Sequence, residues 1–262
     1  SKVHQKTGGN VRFLVTGGAP ISKHVEVFFN SIGLPIVQGY GLTETSPIIT
    51  ANIDKKVGSV GKKLNNLELK IADDDEILVK GPSIFNGYLN VDNNGVFTDD
   101  GFFNTGDLGH LDTDGYLYVT GRKKEIIVLS NGKNVVPNQV EEHLIKSEFI
   151  SQIMVVGDNR NYLVALIVPN LDSVNSTLRL SCDLKELVSR EDVVDLIKRD
   201  IMLFSTNLAR YETVKKFRLL PQEFSIEGCE LTPTLKLRRK EIIKKYNNLI
   251  VSMYNKDGEN NE

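Results

Sequence analysis

Apolar and polar positions alternate with two different periods along the chain. Residues 11–16 are a short apolar run, and Val25, Phe28, Phe29 and Ile32 then recur at helical spacing behind Ser22, a candidate N-cap. Gly33 supplies a stop, and a second apolar run begins at residues 34–37. Strand, helix and strand with short connections predict a βαβ unit with parallel strands and a right-handed crossover. From residue 57 the pattern changes to period two with closely spaced turn residues. Residues 67–72 and 76–80 read as a hairpin around the acidic turn Asp73, Asp74 and Asp75. Runs at 116–119 and 126–129 predict two more strands, with tight turns at 112–115 and 131–132.

Further along, Pro137 and Asn138 open a helix predicted over 138–147, with Asn138 as its N-cap. Residues 151–156 and 162–168 predict a hairpin around a polar turn at 158–161. The longest predicted helix covers 191–212, with Val194, Ile197, Ile201, Phe204 and Leu208 along one face. A strand at 214–220, a basic helix at 238–254 and a disordered polar tail at 257–262 complete the reading. The predicted fold class is therefore α/β plus β, followed by a separate α+β domain. Residues 1–56 form the end of an α/β subdomain and residues 57–121 a small β-barrel-like subdomain. Residues 122–124 are a charged step, and residues 125–262 the second domain.

Composition narrows the function classes. In 262 residues, 40% are hydrophobic and 25% charged, which is ordinary for a globular protein. A net charge of −2 lacks the basic excess expected of a nucleic-acid binder. Cys182 and Cys229 have no metal or redox spacing, so a reducing compartment is expected. His4, His24, His110 and His143 are scattered, and no apolar run reaches membrane-spanning length. A metal is expected only in the company of a nucleotide.

Three stretches carry candidate chemistry. In 39–45, GYGLTET, a tyrosine face suits a purine, a threonine hydroxyl suits phosphate, and a glutamate oxygen suits Mg²⁺. In 105–137, Thr-Gly-Asp, Asp-Gly-Tyr-Leu, Gly-Arg-Lys-Lys-Glu and Asn-Gly-Lys-Asn-Val-Val-Pro follow one another, with Gly106 and Gly109 flanking Asp107 so that a ligand can approach closely. In 231–239, LTPTLKLRR, a basic run enters a helix. Each piece alone reads more simply as a polar loop, a hairpin corner or a solvated face.

Their joint order resembles the adenylate-forming superfamily of acyl- and aryl-CoA synthetases, luciferases and peptide-synthetase adenylation domains, over residues 11 to 240. The resemblance implies roles residue by residue. Gly17, Gly18 and Ala19 lie beside adenine and the acyl group; Tyr40 and Gly41 belong to the adenine loop; Thr43 contacts the α-phosphate; Glu44 holds Mg²⁺. Asp107 binds the ribose hydroxyls and Arg122 supports the same sugar. Lys124 is the hinge of a mobile C-terminal domain, Asn131, Gly132 and Lys133 line the channel for CoA, and Lys236 is the catalytic cation of adenylation. Thr234 and Leu235 stand where many members carry Ser-Gly, a departure that resembles the long-chain acyl-CoA synthetases and puts the flexibility of that loop in question.

The implied function is an AMP-forming fatty acid–CoA ligase using ATP, Mg²⁺, CoA and a fatty acid or other carboxylate. Its implied location is cytoplasmic, compatible with peripheral membrane contact, with no nucleic-acid partner. The family's phosphate loop has no counterpart in residues 1–10, so the chain is expected to be the C-terminal part of a larger enzyme and inactive alone. An aryl-CoA ligase or adenylation domain is the near alternative. A non-catalytic nucleotide-binding or scaffold module is the alternative of another class.

Overall fold

A computed structural model describes residues 5–19 and 21–255. His4, Pro20 and the polar tail 257–262 lie outside the described residues. The chain divides into two compact units, Ser1–Lys124 and Glu125–Glu262.

In the first unit, β1 (Leu14–Thr16) is followed by helix α1 (Lys23–Ser31) and β2 (Ile36–Tyr40). The two strands are parallel, with Leu14 opposite Ile36 and Thr16 opposite Gln38, as the βαβ pattern predicts. The helix departs from its predicted face. Phe28 is 57% exposed, and the buried side chain is Glu26, whose Oε2 accepts a hydrogen bond from the Gly58 amide at 2.8 Å. A buried main-chain N–H needs an acceptor, and that need outranks helical periodicity here. Ser22 occupies the N-cap with extended torsions, but its hydroxyl makes no capping bond.

Two short antiparallel strands, β3 (Thr50–Ala51) and β4 (Lys62–Lys63), extend this sheet beyond Tyr40. β4 lies past residue 56 yet belongs to the first sheet. A second, wholly antiparallel sheet runs in the order β5 (Glu68–Ile71), β6 (Glu76–Lys80), β7 (Phe103–Leu111) and β8 (Leu117–Arg122). Ile49, Val60, Leu67, Ile77, Val79 and Leu117 form the core of this unit.

The second unit opens with the hairpin β9 (Ile127–Val128) and β10 (Asn134–Val135), then helix α2 (Pro137–Leu144). Pro137 is the first helical residue and Val136 the N-cap, so Asn138 lies inside the first turn and does not cap it. Proline suits that place because its missing N–H would have no helical acceptor there. β11 (Ile150–Val156) and β12 (Leu163–Pro169) form the predicted antiparallel hairpin. After α3 (Leu171–Leu178), α4 (Leu184–Leu187) and α5 (Glu191–Phe204), β13 (Val214–Leu219) pairs parallel to β12. α5 ends at Phe204 where the predicted helix ran to 212. Ser205 takes over as C-cap, and the following polar run, Thr206 and Asn207, has poor helix propensity. The basic C-terminal segment is broken at Tyr246 into α6 (Arg239–Lys245) and α7 (Asn247–Ser252).

β12 explains why this unit folds. Leu163, Ala165 and Ile167 face a core shared with α2, α3 and α5, whereas Val164, Leu166 and Val168 face a second core with Phe224, Ile242, Ile250 and Met253. A strand buried on both faces needs an unbroken apolar run, which its sequence LVALIVP provides.

Candidate functional site

The two loops that follow β1 and β2 emerge at the same end of the sheet because those strands are parallel. Gly17 abuts the other strand: a Cβ there would meet the Gly39 carbonyl at 3.2 Å. Gly18 is needed for conformation, with φ +78°. After β2 the chain folds back tightly. A Cβ on Gly41 would sit 1.9 Å from the Pro47 carbonyl oxygen, so only glycine fits. Thr45, fully buried, closes the turn from inside: its hydroxyl donates to the Leu42 carbonyl and accepts from the Leu42 amide, each at 2.9 Å. Thr43 is thereby left exposed on the outside of the turn.

Tyr40, at the end of β2, donates its hydroxyl to Asp107 Oδ2 at 2.8 Å. On the other side, Arg122 Nε reaches Asp107 Oδ1 at 2.8 Å. Asp107 and Arg122 are register partners on β7 and β8, which fixes the second contact in the backbone. The Asp107 side chain is 5% exposed, and the Arg122 side chain 47%. Burial, reinforced by the Asp107 charge, pushes the Tyr40 phenol far above its ordinary pKa, so it remains a donor. Gly106 has φ +71° at a bulge in β7, a conformation that glycine adopts without strain. Gly109 has a different reason: a Cβ there would meet the Tyr118 carbonyl at 2.5 Å and the Ile77 side chain. It serves strand packing, which corrects the expectation that it opens access to a ligand.

Glu44 Oε1 accepts from the Tyr88 hydroxyl at 2.8 Å, and its carbonyl accepts from the Phe85 amide. That hydrogen bond, with burial second, raises the Tyr88 pKa. Among the described residues no group of three or more His, Cys, Asp or Glu side chains could hold a metal ion. A single carboxylate such as Glu44 suits Mg²⁺ only when phosphates and waters complete its shell. Two histidines are structural in their contacts: His110 stacks on Tyr118, and His143 Nδ1 meets the Gln139 carbonyl.

In the second unit, the Asn131–Lys133 turn is held locally. Asn131 Oδ1 accepts from the Lys133 amide at 3.1 Å, and Gly132 has φ +78°. Asn131 and Lys133 line a groove of about 350 Å³ together with Arg210, Tyr211, Lys215 and Tyr162. Lys133 Nζ lies 5.8 Å from the Tyr211 ring centroid. Arg210, Tyr211 and Lys215 carry no motif; their only signal is the helix break after Phe204, which lets residues 205–213 turn back.

Lys236 is exposed on a closed turn. Its amide donates to Thr232 Oγ1 at 3.0 Å, and its carbonyl accepts from the Thr232 amide at 2.8 Å. Leu235, 69% exposed, adopts φ +59°, a left-handed conformation unfavourable for leucine. At the base of this loop Glu230 is buried. Burial raises its pKa, but Lys245 at 2.6 Å and the Ser225 amide bring it below the usual carboxylate range. Tyr40, Asp107 and Arg122 are thus joined within the first unit, as are the loops at 17–19 and 41–45. Lys236 and 131–133 belong to the second.

Comparison with known proteins gives a consistent result. Residues 1–89 match the family described as AMP-binding enzyme, and residues 124–258 match the AMP-binding enzyme C-terminal domain. The chain is 39% identical to the long-chain-fatty-acid–CoA ligase FadD15 of Mycobacterium bovis, over 98% of this chain and 44% of that protein. It is 31% identical to fatty acyl-CoA synthetase B of Dictyostelium discoideum, over 98% of this chain and 42% of the relative. It therefore spans less than half the length of these relatives. Among solved structures, O-succinylbenzoate coenzyme A synthetase from Bacillus subtilis in complex with ATP and magnesium ion is 28% identical. That match has a TM-score of 0.65 over 87% of this chain and 46% of the other. The A-PCP didomain of carboxylic acid reductase from Segniliparus rugosus shares the fold, with a TM-score of 0.76 at 23% identity over 97% of this chain and 36% of that one.

Proposed function

The chain belongs to the AMP-binding enzyme family, and from that premise we propose that it forms part of an ATP-dependent, AMP-forming fatty acid–CoA ligase. The observation that carries this reading is the convergence of Tyr40 and Arg122 on the sealed carboxylate of Asp107, beside the two glycine-bearing loops. A carboxylate held in this way is rigid and negative, and each of its oxygens can accept more than one hydrogen bond. It takes the two ribose hydroxyls of a nucleotide once the half-exposed Arg122 side chain shifts to admit them. The Tyr40 ring then offers its face to adenine, with Gly17, Gly18 and Ala19 alongside. Thr43 contacts the α-phosphate, and Glu44 supplies one oxygen to the Mg²⁺ that accompanies ATP.

In the first half-reaction a carboxylate oxygen of the fatty acid attacks the α-phosphorus. The bond to the β-phosphate oxygen breaks, and acyl-AMP and pyrophosphate result. Negative charge grows on the phosphoryl oxygens in the transition state, so a cation placed there stabilises it more than the ground state. Lys236 supplies that cation. In the second half-reaction the CoA sulfur attacks the acyl carbon, and the bond to AMP breaks. Rotation of residues 125–262 about Lys124 withdraws Lys236 and brings Asn131, Gly132 and Lys133 to the thiol channel. The groove beside that turn, with Lys133, Arg210 and Lys215, has the charge to receive phosphate groups of CoA.

On this reading the end of an α/β subdomain runs through β4, a barrel-like subdomain follows to residue 121, and 122–124 are the hinge. Both cysteines are free thiols, which fits a reducing, cytoplasmic location. Among the described residues no helix is long and apolar enough to cross a membrane. The test is Lys236→Ala in the full-length enzyme. Adenylation falls by on the order of 10²–10³-fold, whereas thioester formation from supplied acyl-AMP is little changed. Equal losses in both would make Lys236 structural.

A further inference from the structure

We propose that two ion-pair clamps confine rotation to the torsions of Lys124: Lys123 with Asp74 and Glu76 in the first unit, and Glu125 with Arg239 in the second. The proposal makes Arg239 a positioning residue for Lys236, and this part of it rests on the ligase reading above. Lys123 Nζ lies 2.6 Å from Asp74 Oδ2 and 2.7 Å from Glu76 Oε2. Glu76 is 8% exposed, and its other oxygen accepts from the Gly106 amide at 2.9 Å, one residue before Asp107. The residue before Lys124 is therefore tied to the strand that carries the nucleotide carboxylate. Asp74 and then Glu76 push the Lys123 ammonium pKa upward, as a held charge requires.

The residue after Lys124 is tied into the other unit. Glu125 Oε2 lies 3.5 Å from Arg239 Nε. Arg239, 14% exposed, also donates to the Asn138 side chain at 3.0 Å and the Val155 carbonyl at 3.3 Å, and it pairs with Glu141. Glu141 in turn accepts from the Val155 amide at 2.7 Å. Exposed ion pairs are weak, but each clamp here has one largely enclosed, multiply bonded member, Glu76 at 8% exposed and Arg239 at 14%. Three residues before Arg239 stands Lys236, on a loop closed by the Leu231–Leu237 bridge and by the Arg238 amide on the Glu230 carbonyl. One guanidinium therefore holds both the start of the second unit and the root of the Lys236 loop. Lys124 itself is exposed, and among the described residues no side-chain hydrogen bond or ion pair holds it. A hinge moves through few torsions when its neighbours are held in this way.

The test uses this chain with Cys182→Ser and Cys229→Ser, spin-labelled at Asp99→Cys and Lys185→Cys. Lys123→Gln with Glu125→Gln should broaden the distance distribution between labels by about twofold, as freed torsions add to those of Lys124. An unchanged width overturns the clamps, whatever reaction the protein catalyses. In the full-length enzyme, Lys124→Pro should block one half-reaction, and adding Lys123→Gln and Glu125→Gln should recover it by at least about tenfold through the released neighbours. A triple variant as slow as Lys124→Pro, or a Lys124→Pro enzyme with both halves intact, overturns the proposal. Arg239→Lys keeps the charge but loses the fork, and should lower kcat of adenylation more than thioester formation; equal losses would leave Arg239 merely structural. A full-length protein that forms no acyl-adenylate removes the ligase reading and leaves the label distances to decide the clamps.

Discussion

Asp107 is the side chain on which the contacts of the candidate site in the first unit converge. It is almost sealed from solvent and bonded by Tyr40 on one oxygen and Arg122 on the other. Losing the Tyr40 hydroxyl removes a donor to a buried charge while keeping the ring that would face a base. Tyr40→Phe should therefore cost about 1–2 kcal/mol of stability, read by chemical denaturation of this chain, and leave most nucleotide affinity in place. No loss of stability would mean that water replaces the hydroxyl freely. The residue types at Tyr40, Thr43, Glu44, Asp107 and Arg122 were legible in the sequence through the order of their motifs. What they bond to was not. Asp74 lies in a turn that reads as a solvated hairpin tip, and the tip is real, yet Asp74 and Glu76 grip Lys123, 47 positions beyond Glu76. Local spacing encodes no contact at that range.

Elements were legible where one period ran without interruption. The parallel pair β1 and β2, the β11–β12 hairpin and the doubly buried β12 follow directly from apolar patterning. Periodicity failed where another demand outranked it: at α1, where the Gly58 amide claims Glu26, and beyond Phe204, where polar residues end α5. The Lys236 turn is a third case. Leu235 stands where a glycine is common in the family, and it adopts the left-handed conformation that glycine would accept without strain. Because the side chain is largely exposed, its removal forfeits little burial. Leu235→Gly should raise stability by about 0.5–1 kcal/mol, the left-handed strain relieved less the entropy of an added glycine. Thermal unfolding of the chain checks this; a clear loss would show that the leucine packs where the structure leaves it exposed. The turn is held shut by Thr232 at both ends of Lys236, so the missing glycine does not leave the loop unsupported.

At the scale of the molecule, two units with separate cores divide the chain between Lys124 and Glu125. On the proposed reading, the residues assigned to a nucleotide lie in one, and Lys236 and the basic groove lie in the other. A two-step reaction that needs a cation first and a thiol channel second has a use for that division. The central claim is the chemistry itself, and the intact protein tests it most directly. Purified full-length enzyme, given Mg-ATP, labelled pyrophosphate and single carboxylic acids, should return label into ATP only when a fatty acid is present. Long-chain acids should support the exchange better than aryl acids. Exchange independent of any acid, or exchange supported by aryl acids alone, would contradict a fatty acid–CoA ligase.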